Sequence, residues 1–220
     1  MGGRKNTTSS SKQPNNISTP ASSTPSTLSD LLEETSLSNG SPSAATIIRC
    51  PKPTLTRLRS LRHEESLVLL TPVVPPPSGA PATAPMDPFE PFGRALAAHH
   101  KRIRHVPYVP IAGMTDTHLA FLKHAGAVAV VVCDVPNATH AKESRFEHQR
   151  AFAQAALNEM KKKEEEEESG IKATCPVMLV LVTGRLQWRV DAFDDFEAVF
   201  VSRSYAPTVL VQISDLMFGV

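Results

Sequence analysis

Strand-like and helix-like segments alternate about five times between residues 63 and 220, which predicts an α/β fold: a three-layer sandwich whose open, mainly parallel sheet of about five strands is covered by helices on both faces. Two stretches carry that prediction. Ala127 to Cys133 (AVAVVVC), closed by Asp134, and Val177 to Val182 (VMLVLV) are apolar at every position rather than at alternate ones. That pattern belongs to strands buried on both faces. The region is also long enough to bury a core of its own.

The elements follow in order. Ser66 to Thr71 (SLVLLT) is a first strand, stopped by Pro72 and by a Pro-rich loop from Pro75 to Pro85. Asp87-Pro88-Phe89-Glu90 reads as a helix start, with Asp87 as cap, Pro88 in the first turn and Glu90 as the acid of a capping box. Phe89, Phe92, Leu96 and His99 then share one face of a helix running to about Lys101. His105 to Val109 is a second strand, and Pro107 marks it as an edge. Gly113 turns the chain into a helix capped by Thr115, with Leu119, Leu122 and Phe121 directed at the sheet.

After the strand Ala127 to Cys133, a helix from about Ser144 presents Phe146, Ala153, Leu157 and Met160 on one stripe. It runs out through Lys161–Lys163 and Glu164–Glu168 toward Gly170. Val177 to Val182 and Ala198 to Val201 are further strands. Pro207 opens a last helix whose inner face holds Val209, Ile213 and Leu216, with Leu210 and Met217 beside them.

Residues 1–62 are crowded with Ser, Thr, Asn and Pro. Such a segment buries too little surface to offset its chain entropy, so a disordered extension is expected there, and the folded domain over 63–220. Leu28, Leu31, Leu32 and Leu37 read either as a short docking peptide or as isolated apolar residues in a tail. The basic group Arg49, Lys52, Arg57, Arg59 and Arg62 reads as a solvated linker, or as a contact for an acidic partner.

Twenty-three basic and 22 acidic residues leave a net charge of +1, which gives no footprint for nucleic acid. Cys50, Cys133 and Cys175 have no paired spacing, so neither a disulfide framework nor a zinc knuckle is expected. A reducing, cytoplasmic setting fits. No apolar run reaches the roughly 18 residues a membrane span needs, and no signal-peptide core is present. Gly2 fails the myristoylation pattern because Asn6 stands where Ser or Thr is needed. The sequons at Asn6, Asn16, Asn39 and Asn137 matter only in a secreted chain.

Four segments in this order, PFEPFGRAL, AVAVVVCD, VMLVLVTG and FEAVFVSRSYAPTVLVQISDLMFG, resemble the C-terminal α/β-sandwich domain of glycoside hydrolase family 3, in the branch of the β-N-acetylglucosaminidases. Asp191-Ala192-Phe193 stands at that family's Asp-and-Phe segment. Ser202-Arg203-Ser204-Tyr205 stands at its Thr-Tyr-Ser-Tyr-like turn, and Met217-Phe218-Gly219 at its closing Leu-Phe-Gly. The resemblance covers Ser66 to Val220. It implies that the family's chemistry lies elsewhere, because the nucleophilic Asp and the Asp-His pair belong to an N-terminal barrel of roughly 250 residues. This chain has no room for that barrel. Lys123-His124-Ala125-Gly126 resembles the barrel's Lys-His-x-Pro-Gly motif only in part, lacks the Pro, and is expected to end a helix. No Glu matches the acid that some branches place on the second domain. The implied role is a non-catalytic accessory or truncated part of a glycosidase, with a barrel or another protein as partner and carbohydrate as the substrate class. An incomplete gene product is a further alternative.

No catalytic set is assigned and no metal site is expected. Open parallel sheets bind ligands at the carboxyl ends of their strands, so the candidate rim is Thr71, Thr115, Asp116, His118, Asp134, Arg185 and Arg203, with Thr183, Gly184 and Ser202 beside them. Asp134 with Arg185 suits a sugar hydroxyl or an anion, although a structural ion pair uses the same residues. Asp116 with His118 suits an acid/base couple, although capping and the helix dipole explain an acid in a first turn. His99, His100 and His105 straddle a helix end, unlike the convergent ligands of a metal site. Cys133 reads as a strand-end nucleophile or as a small buried thiol. Thr71-Pro72 stands where a dinucleotide fold carries glycines, so no nucleotide cofactor is expected. The rival reading is a flavodoxin-like module that takes a small ligand at this rim.

Overall fold

The computed structural model describes residues 45–74, 87–134, 142–166, 174–183 and 191–219. Within them the chain forms six strands: β1 (Ala45–Arg49), β2 (Ser66–Pro72), β3 (Ile103–Tyr108), β4 (Ala125–Asp134), β5 (Val177–Thr183) and β6 (Ala198–Ser202). Five α-helices join them: α1 (Lys52–Arg59), α2 (Glu90–His99), α3 (Asp116–Lys123), α4 (Lys142–Glu166) and α5 (Pro207–Phe218). The strands lie side by side in the order β1-β6-β5-β4-β2-β3. β2 to β6 are mutually parallel, and β1 alone runs antiparallel, on β6.

The unbroken apolar strands are buried on both faces. Along β4, Val128, Val130 and Val132 pack with Phe146, Phe152, Ala156 and Leu157 of α4 and with Phe193 and Phe196. Ala127, Ala129, Val131 and Cys133 face the other way, among Leu58 of α1, Phe92 and Leu96 of α2 and Ile213 and Met217 of α5. The layers are therefore α3/α4, sheet, and α1/α2/α5, the three-layer sandwich that the sequence predicts. Pro107 does lie on an edge strand, since β3 pairs only with β2.

Two expectations need correction. The ordered domain begins before residue 63, because β1 and α1 belong to it; Leu55, Leu58 and Leu61 bring one face of this region into the core. β1 adds a sixth, antiparallel strand to the expected sheet of about five. Finally, α2 starts at Glu90, with Pro91 in its first turn: Asp87 accepts the N–H of Phe89 at 2.9 Å, and Glu90 turns outward to Arg94 at 2.6 Å instead of closing a box. The expectations for residues 1–44, for the Pro-rich loop and for Glu167–Gly170 lie outside the described residues.

The basic group read as a linker binds the domain together. Arg49 on β1 donates to the carbonyls of Phe193 and Phe196. Arg59 on α1 donates to the carbonyls of Met217 and Leu216 at the end of α5, groups no helix can satisfy internally. Gly219 follows with φ 78°, and a Cβ there would lie 2.7 Å from the Arg59 guanidinium. Glycine is favoured here by the left-handed turn, and its missing side chain leaves the guanidinium free to approach.

Glu65 is the second knot. Its carboxylate accepts from both terminal nitrogens of Arg57, at 2.5 and 3.3 Å, and from the backbone N–H of Arg62 at 2.8 Å. Its carbonyl meets His100 Nε2 at 2.7 Å. Gly126 passes so close that a Cβ would sit 2.7 Å from that of Glu65, and the β2–β4 register slips by one residue there. Partial burial works to raise the Glu65 carboxyl, but the hydrogen bonds from Arg57 and Arg62 and the Arg57 charge outweigh it and hold the group at about 2. A carboxyl depressed in the fold stabilises above its ordinary value of 4.5 and loses that contribution as pH falls toward 2. Glu65→Gln should therefore cost about 1–2 kcal/mol at neutral pH, and the difference from the parent in urea unfolding should shrink through the acid range.

Candidate functional site

The chain passes from β2 outward to β3, returns across β2 to β4, and continues the other way to β5 and β6. The reversal lies between β2 and β4, whose carboxyl ends frame the crevice in which open α/β sheets hold ligands. What fills that crevice follows from one residue. Leu67 and Val73 donate their N–H groups to Arg102 and Tyr108, on the β3 side. Backbone direction alternates along a strand, so Pro72 faces β4. Val128 donates to Pro176 on the β5 side, so Val131 and Cys133 turn their backbone toward β2.

Continuing the register of Leu70 with Val130 sets Pro72 opposite Val132 and its nitrogen against the Val131 carbonyl. Proline has no N–H to give. Pairing of β2 with β4 stops at Leu70, and side chains take over the orphaned groups. Tyr108 Oη donates to the Val131 carbonyl at 2.8 Å. Gln149 of α4 accepts the Cys133 N–H at 2.8 Å through Oε1 and donates to the Cys133 carbonyl at 3.0 Å through Nε2, as a further strand would. Both side chains are buried, and Phe152 stacks on Tyr108 with ring centroids 3.8 Å apart. Burial, then the Cys133 charge, pushes the Tyr108 hydroxyl well above its ordinary value, so it stays a donor. The Val131 carbonyl and the Cys133 N–H and carbonyl, which face the reversal point, are thus paired by side chains.

Among the described residues, the predicted rim is spread over several elements. Thr71 is fully buried on the α2 side, its hydroxyl 2.8 Å from His105 Nε2. Asp87 approaches the same nitrogen at 3.4 Å. Because both oxygens meet one ring nitrogen, no relay runs through the imidazole. Ser202, on β6, donates to the Ser204 carbonyl, and two strands separate β6 from β2, a gap of about 14 Å. Asp134 ends β4 opposite Thr183 in the register. Arg203 is exposed just beyond β6. Arg185 and Gly184 lie outside the described residues.

Thr115, Asp116 and His118 sit beyond β3, at the start of α3. Of the two readings of Asp116 and His118, the capping one describes this helix start: His118 is 5% exposed and Asp116 exposed. His118 Nδ1 accepts from the Thr115 N–H at 3.1 Å and lies 2.7 Å from its hydroxyl, which places the proton on Nε2, facing the Pro107 carbonyl at 3.4 Å. This is a helix cap, with the ring edge against Phe152. The inner face of α3 is accordingly His118 and Leu122, while Leu119, expected inside, is 36% exposed.

The three neighbouring histidines diverge: His99 stacks on Phe218, His100 reaches the Glu65 carbonyl, and His105 joins Thr71. Among the described residues no three His, Cys, Asp or Glu side chains converge as metal ligands. Cys133 is 3% exposed, and burial followed by the Asp134 charge pushes its thiol far up, the state of an inert core thiol. Nearby Tyr205 is raised to about 12 by burial and then by Cys133. The roles of Tyr108 and Gln149 escaped sequence reading; the signal was Pro72 at the end of a central strand, which demands replacement donors.

Two clefts lie on the opposite edge of the sheet, where parallel strands begin. One, of about 530 Å³, opens between the ends of α3 and α4 beside Leu122, Lys123, Met160 and Lys163. The other, of about 180 Å³, lies beside Arg57, Glu164, Cys175 and Glu197. No helix of the described residues is long and apolar enough to cross a membrane.

No protein-family model matches the chain, and no curated protein does. Among solved structures it is similar to a fungal multi-domain glycoside hydrolase family 3 β-N-acetylglucosaminidase that contains a GCN5-related glucosamine N-acetyltransferase region. The TM-score is 0.54 at 16% identity, over 80% of this chain and 16% of that one. It is also similar to a glycoside hydrolase family 3 β-N-acetylglucosaminidase from Paenibacillus sp. str. FPU-7, with TM-score 0.50 at 12% identity, over 95% of this chain and 34% of that one. The likeness is one of fold, and the chain spans about a sixth and a third of the two proteins' lengths.

Removing Gln149 leaves a buried N–H and a buried carbonyl unpaired, so Gln149→Ala should lower unfolding free energy by about 2–4 kcal/mol, and Tyr108→Phe by about 1–2. Chemical denaturation measures both. His105 sits below the ordinary 6.5, burial lowering it against the opposing charges of Asp87 and Glu90. A histidine kept neutral by the fold stabilises fully above 6.5 and loses that contribution as pH falls through its folded value. Thermal midpoints recorded from about pH 7.5 to 5 should fall less in His105→Gln than in the parent.

Proposed function

We propose that this chain is a non-catalytic domain of the glycoside hydrolase family 3 C-terminal kind, an accessory or truncated part of a β-N-acetylglucosaminidase-like glycosidase. It packs against a barrel or another protein and presents its strand-end loops there. The observation that carries this reading is the pairing of backbone groups between β2 and β4 by Tyr108 and Gln149, at the point where a small ligand would bind. Two further features support it: the fold likeness to two β-N-acetylglucosaminidases, and the scatter of the polar rim over different faces and edges. Cys50, Cys133 and Cys175 are free thiols, in keeping with a cytoplasmic setting.

The five parallel strands follow the order 2-1-3-4-5 of flavodoxin-like modules, which bind ligands at the same reversal point. Its occupation by two buried side chains speaks against that use.

Purified chain should release no chromophore from an aryl N-acetylglucosaminide above buffer alone, and N-acetylglucosamine should not shift its melting temperature. Turnover that disappears on Asp134→Asn would overturn the reading, and a saturable thermal shift with sugar or flavin would favour the flavodoxin-like alternative.

A further inference from the structure

The two edges of the sheet are finished differently. On β3, Arg102 and Tyr108 turn their carbonyls to β2, so Pro107 points outward. It has no N–H to offer a further strand, and His118 faces its carbonyl. That edge is blunted. Among the described residues no such device covers β1. Pairing with β6 uses one side only, and half of the β1 backbone groups face away. Ala45 to Ile48 contain neither charge nor proline, and Ile47 and Ile48 are 38% and 43% exposed. The one irregularity is a bulge between Ile47 and Arg49. α5 packs on β1.

We propose that β1 pairs with β1 of a second copy of this chain, antiparallel about a two-fold axis, joining two six-stranded sheets edge to edge. A strand of five residues centred on Ile47 is self-complementary in that arrangement. Ile47 faces Ile47 of the other copy, Thr46 faces Ile48, and Ala45 faces Arg49, so no like charges meet across the pair. The preceding stretch of the same chain is a poor competitor. Residues 38–44 (SNGSPSA) contain Gly40 and Pro42 and no β-branched residue, and residues 1–37 contain no run of three β-branched residues. A strand pair this short makes a small interface, so the dimer forms and dissociates with concentration rather than being obligate.

The full-length chain tests this by analytical ultracentrifugation over about a hundredfold concentration range, with hydrogen exchange of residues 45–49 followed in parallel. A monomer–dimer equilibrium is expected, together with amide protection of β1 that grows with concentration. Ile47→Lys sets two like charges on the axis and should return the protein to monomer with an unchanged thermal midpoint; Ile48→Lys, at the bulge, should weaken association several-fold. A monomer at every concentration overturns the proposal, whether β1 exchanges fast or stays protected by an intrachain partner. So does a dimer that both lysine variants leave intact, since its interface would lie elsewhere.

Discussion

One missing hydrogen organises the carboxyl edge of this sheet. Pro72 ends the central strand β2 without an N–H, at the place where the chain reverses direction across the sheet. The β2–β4 ladder therefore stops at Leu70 and Val130. A buried carbonyl or N–H left alone costs about 1–3 kcal/mol, which is a large share of a domain's net stability. Tyr108 and Gln149 remove that cost by pairing the Val131 carbonyl and both backbone groups of Cys133. The stacking of Phe152 on Tyr108 ties the arrangement to α4, so the helix that supplies Gln149 also fixes the ring that replaces the proline's donor.

The amino edge is held by charge instead. Arg57, Arg59 and Arg62, together with Arg49 on β1, find carbonyls or Glu65 within the domain. These contacts join β1 and α1 to the turn around Phe193, to the end of α5 and to the approach to β2. Gly126 and Gly219 are the two places where a side chain would collide with this framework. A segment whose composition suggests a solvated linker is in this way part of the fold.

How much was legible in the sequence depends on what each signal measures. Unbroken apolar runs report burial on both faces, and so β4, β5 and the three layers could be read directly. Phe146, Ala153, Leu157 and Met160 form the predicted stripe of α4, because helical spacing alone brings them to one side. Pro107 marked its edge because a missing donor has one tolerable place in a sheet. The failures have physical reasons as well. β1 is short and half-exposed, without the apolar run of a core strand. His118 displaced Leu119 from the inner face of α3 because a cap hydrogen bond can bury a polar ring, a choice that hydrophobicity does not register. The rim residues shared a position at strand ends, but alternation sends neighbours to opposite faces, and spacing along the chain does not show which rim groups meet.

The central claim is that side chains complete the β2–β4 ladder beyond Pro72. Site-resolved amide exchange of Cys133 in the unmodified protein tests it most directly. A Cys133 amide held by Gln149 exchanges as slowly as those of Val130 and Val131 in the middle of β4. Exchange at the rate of an unpaired strand end would show that the amide is free, which contradicts the account.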